Sequence, residues 1–460
     1  MAAMSSGGPV VITGEGRQLV PGAVSQPLRA ELHDAHFSLA VGGSAPISTA
    51  YRDLTTLVVQ PGQVLLELRA GAARYVAERL GDRLATLVGE LHERRARQLL
   101  TDRLIELPAT ERLEMVEYRS PDEHGVALLA FHDWGVALSP LDERRPWRLI
   151  RRADVSRVEA QPASGSVTVG VSGRPGAGAP APIELLGLGA SAVRQGARWS
   201  GLRERALADS AHILGGLLPA APAVVQRAAG LLIDGRPVAP AELGDAWPQV
   251  QSAVLAEPAF AATYRELAAR GGESWIALAP RRPSAVGATG ELDPTAAPPA
   301  PVAWFLVTLP GNLLAMEIVT EGAHATYLFR VLPRAEYHGQ PPAMLADAAG
   351  VAVYDVAEAL IDGRFLREPI YLPADRLAEP RYERYRLAVA ALPALRAARA
   401  RFVGRLFHRD EAGWSRSLED AIAWHAAARD DAARWPGAAA DDTTADDPGP
   451  TSDAQPTEAP

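Results

Sequence analysis

The sequence predicts an α+β protein: two tandem small antiparallel β-barrels, each closed by a C-terminal helix, then a helical connector and a β-hairpin/helix module. Three observations predict it. Short, alternating, β-branched runs give way twice to one long amphipathic pattern, first before residue 107 and again before residue 219. Dipeptides recur in the same order at nearly one spacing: His33-Asp34 with His132-Asp133, Asp53-Leu54 with Asp154-Val155, and Gln60-Pro61 with Gln161-Pro162. After residue 273 the pattern changes to strongly apolar strand runs followed by alanine-rich helical stretches.

Residues 1–14 are expected to form a disordered leader. In the first domain (15–107), strands are expected at Pro27–Leu32, His36–Val41, Ile47–Tyr51, Thr55–Gln60 and Val64–Arg69. A helix follows from near Ala72, because Val76, Leu80, Leu84, Leu87, Val88, Leu91, Leu99 and Leu100 fall at three- and four-residue spacings; Pro108 ends it. The second domain (108–219) has strand runs at Glu111–Tyr118, Val126–Phe131, Gly135–Ser139, Trp147–Arg151, Val155–Ala160, Ser166–Val171 and Ile183–Gly187. A helix is expected from about Ala190 to Leu218.

The connector (220–272) carries helical patterns at Ala241–Leu255 and Glu257–Arg270, the first entered through Pro240. The last module (273–434) has strand runs at Trp275–Ala279, Val302–Leu309, Leu313–Thr320 and His324–Leu332, with turns at Pro310-Gly311-Asn312 and Glu321-Gly322. Its segment 280–301, rich in Pro, Ala and Gly, is expected to be a disordered loop. Helices are expected at Met344–Ile361, at Pro373–Arg405 with an interruption at Pro393, and at Leu418–Arg434. Ser417 with Asp420 supplies a capping-box pattern for the last. The pentapeptide Leu-Ile-Asp-Gly-Arg occurs at Leu232–Arg236 and Leu360–Arg364, each time ending a helical pattern, as a glycine helix stop would.

On this order of elements, residues 111–218 and, less completely, 15–107 resemble the pleckstrin-homology-like (PH-like) superfold. In that fold a bent seven-stranded antiparallel barrel is capped at one end by a C-terminal helix. The resemblance covers a little under half of the chain and rests on element order, so it implies a fold and a binding role rather than a specific ligand.

Composition excludes more than it selects. The 460 residues contain no cysteine and no lysine, so all 46 basic residues are arginine. That removes thiol nucleophiles, cysteine metal sites and disulfides, and equally lysine Schiff bases and the phosphate-binding lysine of P-loops. No basic n-region opens the sequence and no run of about 18 apolar residues exists, so a cytoplasmic location is expected. The net charge of −9 is unevenly placed: Asp441, Asp442, Asp446, Asp447, Asp453 and Glu458 lie in 435–460 without a base among them, and removing them leaves −3. Lacking large apolar residues beyond Trp435, that acidic tail is expected to be disordered, either solubilising the chain or engaging a basic partner.

The candidate anion site is the cluster Arg144, Arg145, Trp147, Arg148, Arg151 and Arg152, where guanidinium groups could hold phosphates or lipid headgroups and the indole could dip into an interface. On a strand, Arg145, Trp147 and Arg151 would share one face and Arg144, Arg148 and Arg152 the other, splitting the charge. A second basic stretch, Tyr385–Arg405, reads as an amphipathic helix covering a core. Gly187-Leu-Gly189-Ala-Ser-Ala192 has the form of a dinucleotide-binding turn. It lacks a following parallel strand, so small residues at a tight strand–helix junction account for it. His92-Glu93 lacks the second histidine of a zinc helix, since residue 96 is alanine; His33 and His36 would point to opposite faces of a strand; His324 reads as a core or edge residue. Serines such as Ser166, Ser172 and Ser415 have no nucleophile-elbow context. No metal, cofactor or catalytic constellation is therefore expected, and the acidic balance disfavours nucleic acid. The reading is a non-catalytic binding or scaffold protein with an unknown protein partner. Peripheral binding to an anionic membrane surface through the arginine cluster is the alternative, and an enzyme without a recognisable motif is a third.

Overall fold

The computed structural model describes all residues except 1–9, 21–22, 61–62, 69–73, 108–110, 143–144, 173–180, 220, 257, 281–300, 320–324, 338–339, 409, 429 and 437–460. Most of the expected leader, loop and acidic tail, with His324 and Arg144, therefore lies outside the described residues. The described residues divide into two compact units, one up to Ala208 and one from Asp209 onward.

In the first unit, β1 (Val10–Gln18), β2 (Gln26–Leu32), β3 (His36–Val41), β4 (Ile47–Ala50), β5 (Leu54–Gln60), β6 (Gln63–Leu68) and β7 (Arg74–Glu78) form one antiparallel sheet of order β4-β3-β2-β1-β7-β6-β5. The helix α1 (Arg83–Thr101) follows. Two of these strands depart from expectation. The expected leader 1–14 gives way from Val10 to β1, which carries Gly14 and Gly16. A side chain at either would run into Leu80 (2.5 Å) or Leu28 (2.8 Å), so these glycines let β1 pass close beneath core leucines. The residues around Val76 form β7 rather than a first helical turn. Val76 and Leu80 extend the four-residue spacing of Leu84 and Val88, yet Val76 pairs with Arg17 of β1 and Leu65 of β6.

The second half repeats the arrangement: β8 (Glu114–Ser120), β9 (Glu123–His132), β10 (Gly135–Pro140), β11 (Arg148–Arg151), β12 (Val155–Gln161), β13 (Ser166–Val171) and β14 (Ile183–Leu186), in the order β11-β10-β9-β8-β14-β13-β12, followed by α2 (Ala192–Leu217). All seven expected strand runs are present. The likeness extends to details. A 3-10 turn makes the corner between the fourth and fifth strands, at Tyr51–Asp53 and at Arg152–Asp154. A register shift follows each corner, between Leu54 and Thr56 and between Val155 and Arg157. In each half a helix arginine donates to the first carbonyl of the fifth strand: Arg95 Nε to Leu54 O at 3.0 Å, and Arg203 Nη1 to Val155 O at 2.8 Å.

Each sheet has one core cluster to which strands from both ends contribute. Phe37 and Leu39 meet Leu57, Leu66 and Tyr75 in the first half, while Val136 and Leu138 meet Val167 and Leu185 in the second. The helices plug these cores with Leu87 and Leu91, and with Trp199 and Leu202, all fully or almost fully buried. Each such side chain contributes about 2 kcal/mol on burial, enough to hold a helix whose intrinsic stability is marginal. The end of α1 and the segment after it add a smaller cluster, in which Leu100 and Ile105 cover Ala130 and Ala137 on the outer face of β9 and β10.

The second unit begins within the α2 sequence and continues through α3 (Pro222–Ala229), α4 (Pro240–Leu243), α5 (Trp247–Val254) and α6 (Pro258–Arg270). A five-stranded antiparallel sheet follows in chain order: β15 (Ser274–Pro280), β16 (Pro301–Leu309), β17 (Leu313–Val319), β18 (Ala325–Arg330) and, after α7 (Arg334–Tyr337), α8 (Pro342–Asp362), α9 (Glu368–Tyr371), α10 (Ala374–Leu377), α11 (Glu383–Ala391) and α12 (Pro393–Arg401), β19 (Phe402–Phe407). The helix α13 (Glu411–Ala427) ends the described fold. One sheet face packs Phe305, Val307, Leu328 and Leu406 against α3–α6 and Trp414 and Leu418 of α13. The other carries Trp304, Met316, Tyr327 and Phe329 toward α8, α9 and α12. Burial on both faces explains why these strands are continuously apolar.

Four expectations are corrected here. The connector is no separate domain, since α3–α6 share the core of this sheet. The stretch Pro373–Arg405 is not one helix: Phe402–Phe407 leaves the helical path as β19, pairing with β18, which puts Arg405 on a strand. The last helix starts at Glu411, capped by Asp410, whose carboxylate accepts from Gly413 N at 2.7 Å; Ser417 lies inside it. Neither Leu-Ile-Asp-Gly-Arg copy places its glycine as a left-handed helix stop. Gly363 has φ −74°, and Gly235 (φ +84°) lies in a turn beyond α3 whose segment bonds the outer edge of β15, Val238 N to Ile276 O at 2.9 Å.

Candidate functional site

The arginine cluster sits around β11, the short end strand of the second sheet, and the structure disperses it. Arg152 opens the 3-10 corner with 1% exposure, its backbone N–H donating to Trp134 O at 2.8 Å and its guanidinium 5.5 Å from the Trp134 ring. Arg148 faces Ser120 and Glu123, with Nη2 3.1 Å from Ser120 Oγ and 3.1 Å from Glu123 Oε2. Arg145 pairs with Asp142 at 3.3 Å and donates to His124 O. Trp147 packs with Leu149 against the Leu100–Ile105 cluster, and the Arg103 guanidinium lies 4.4 Å above its ring. Burial there pushes Arg103 down to about 10. Arg151 ends β11 and is half-buried. The split between two faces read from strand alternation is thus sharpened: Ile150 enters the core, Arg148 binds an acid, Trp147 binds the α1 segment, and Arg152 is an internal strut.

Two other sequence candidates resolve into local structure. Gly187 and Gly189 take φ of +67° and +51° at the β14–α2 junction, where Leu188 N donates to Gly165 O at 2.8 Å. Both neighbours of β14 are antiparallel, so the junction has no dinucleotide-binding geometry. His33 and His36 flank the turn between β2 and β3 instead of sharing a strand, and their rings stack with centroids 4.4 Å apart.

A polar centre that sequence reasoning missed lies in the second unit. Glu317, the single acid in the β17 run Leu313–Val319, is 0% exposed and paired with Phe305 on one side and Thr326 on the other. The Thr326 hydroxyl donates to Glu317 Oε2 at 2.6 Å and accepts from Trp414 Nε1 at 3.0 Å. His408 Nε2, just beyond β19, lies 3.2 Å from the same carboxylate, and its ring stacks on Trp414 with centroids 5.0 Å apart. The His408 side chain is 18% exposed, so this carboxylate meets the surface through an imidazole. The arrangement partners one oxygen of a buried carboxyl group, Oε2, and ties β17, β18 and α13 together, while Oε1 makes no hydrogen bond. The signal was present in the sequence as one carboxylate inside an uninterrupted apolar run. Its partners, 9, 91 and 97 residues away, could not be read from spacing.

Among the described residues no group of three or more His, Asp or Glu side chains is arranged to hold a metal ion, and no helix is long and apolar enough to cross a membrane. The sequence matches no protein-family model, and comparison with curated proteins finds no significant match.

Proposed function

We propose that each seven-stranded half is a PH-like domain and that the chain is a non-catalytic binding protein, an intracellular scaffold that uses this tandem pair to engage a partner protein. The observation that carries the reading is where each sheet stops. In both halves the strand order ends on the seven-residue fifth strand, β5 or β12, beside the capping helix. Such an edge can pair with an extended segment of another chain, with main-chain bonds supplying affinity and alternate side chains supplying specificity. On β5, Val58 and Val59 are exposed, an apolar edge that a monomeric protein ordinarily protects with charge. The opposite end strand of the second sheet, β11, is short and carries Arg148 and Arg151, the protected kind of edge. Affinity capture with the intact chain and with a Val58→Lys, Val59→Lys variant tests this. The expected result is a specific partner enriched by the wild type and lost with the variant at unchanged thermal stability. A partner set indifferent to the substitution rejects the edge as the interface.

A further inference from the structure

The acidic segment 437–460 and an arginine-rich corner of the second unit lie next to each other in the chain, and the corner has charge to spare. Arg330, at the end of β18, has Nη1 3.2 Å from Asp431 Oδ1, and Arg334 Nε lies 3.5 Å from the same oxygen. Arg401 binds Asp355 at 2.9 Å and donates to Val331 O. Arg399 and Arg434 have no carboxylate partner among the described residues. Arg399 Nη1 donates to Pro369 O at 2.7 Å, and Arg434 Nη2 donates to Arg399 O at 2.7 Å with its guanidinium 5.4 Å from the Phe402 ring. The acids that face this corner, Asp355, Asp430 and Asp431, bear on Arg330, Arg334 and Arg401, and none of the three pairs with Arg399 or Arg434. The consequence is visible in Arg434, which is pushed down to about 10 by burial and by the nearby Arg330 and Arg399. Such a corner favours an anion, and a carboxylate can accept two N–H bonds from one guanidinium.

We propose that this corner is the docking site for the chain's own acidic segment, with Asp441, Asp442, Asp446 and Asp447 seated on Arg434 and Arg399. Reach and charge both favour this occupant. Trp435 is anchored, its N–H donating to Val403 O at 2.9 Å, so the segment leaves from within the corner itself. Asp441 follows Pro436 by five residues, a span of at most about 17 Å. The acids come as two adjacent pairs with no base between Pro436 and Pro460. Tethering makes the encounter intramolecular, at an effective concentration no free anion reaches in solution.

The 460 residues include no cysteine, so the intact chain can be labelled at chosen places without background. A short-range donor–acceptor pair at Ala400→Cys, on the exposed end of α12, and Thr444→Cys reports the distance, with a half-transfer distance of about 15 Å chosen because nine undocked residues beyond Trp435 span about 17 Å. The expected result is a high transfer efficiency at about 50 mM NaCl that falls at about 1 M, where the screening length shrinks to about 3 Å. The same fall is expected at low salt when Asp441, Asp442, Asp446 and Asp447 are changed to Asn, and when Arg399→Gln and Arg434→Gln are combined. The Asn substitutions change none of the described residues, so they keep the test valid if the arginine variant unfolds. Efficiency that ignores salt and the Asn changes overturns the proposal. Loss with the Asn changes but not with the arginine changes places the segment elsewhere and also overturns it. Transfer between singly labelled chains would show that the occupant is a second copy, which rejects docking within one chain.

Discussion

Tyr51 and Arg152 occupy the same corner of the two sheets, 101 positions apart, and each is almost completely enclosed, at 0% and 1% exposure. The Tyr51 hydroxyl donates to His33 O at 2.6 Å, across to the turn after β2. Arg152 meets Trp134, in the turn after β9, through its backbone and its guanidinium. Two chemically unlike side chains therefore brace one corner against the same neighbouring turn. The corner demands length and a polar tip more than a particular charge.

That equivalence predicts the outcome of substitution. Tyr51→Phe removes one hydrogen bond and should cost about 1 kcal/mol, whereas Arg152→Ala empties a large buried site and should cost about 3 kcal/mol. Arg152→Tyr should be milder than Arg152→Ala, because it restores the side chain that the first half uses. Urea unfolding midpoints check all three. An Arg152→Ala protein as stable as the wild type would return Arg152 to the surface cluster as a ligand-binding residue.

The repeat was legible because its evidence was local: His33-Asp34 and His132-Asp133 mark turns, and the 101-residue offset of Asp53-Leu54 and Asp154-Val155 marks the corner. The second sheet, whose seven runs are each bounded by turn residues, could be read strand by strand. In the first, the start of β1 fell within the expected leader 1–14, and β7 was hidden by a chance agreement between Val76–Leu80 and helical spacing. The anion cluster was visible as composition, but its partners were not. Glu123 lies 25 residues from Arg148, and Arg103 lies 44 residues from Trp147. Burial of Arg152 becomes visible only when it is aligned with Tyr51.

Gly235 and Ile361 bring the two Leu-Ile-Asp-Gly-Arg copies together around Trp304. A Cβ at residue 235 would overlap the Trp304 ring and stand 3.2 Å from Ile361 Cδ1, and the backbone there has φ +84°. Gly235→Ala thus combines a left-handed strain with overlap of a fully buried indole. It should destabilise the second unit by about 3 kcal/mol or more. Gly363→Ala meets Ala359 O at 2.8 Å at an ordinary helical φ, so its cost should be smaller. Chemical unfolding followed by tryptophan fluorescence orders the two. Equal effects would refute the role assigned to Trp304.

Two histidines should make stability fall in mild acid. Burial, helped by Arg95, holds His92 down at about 4, and burial together with Arg334 and Arg330 holds His425 there, where Nδ1 lies 2.9 Å from Arg334 Nη2. In the unfolded chain both return to about 6.5. Between these values the unfolded chain holds more protons, so stability rises with pH across the window. The contribution is fully present above about 6.5 and is lost as the pH falls through about 4. It amounts to at most about 3 kcal/mol per histidine. Urea unfolding at pH 7.5 and 4.5 should show the loss, and His425→Gln should lose less than the wild type. An identical pH dependence in the variant would mean that His425 does not titrate on unfolding.

The Glu317 network should respond to pairs of substitutions differently from single ones. Thr326→Val alone leaves Trp414 Nε1 without its acceptor and Glu317 without its shortest donor, both in the core, and should cost about 3 kcal/mol. Glu317→Met alone removes the carboxylate but leaves His408 Nε2 3.1 Å from the Thr326 hydroxyl, which still accepts from Trp414 Nε1; it should cost less. With both changes the Thr326 and Glu317 polar atoms disappear together and only Trp414 keeps an unmet N–H. The double variant should therefore be more stable than the sum of the single effects implies, by about 1 kcal/mol or more. A cycle measured by urea unfolding decides this. Strict additivity would mean that the two side chains do not act as one unit, and that the buried carboxylate is held by His408 alone.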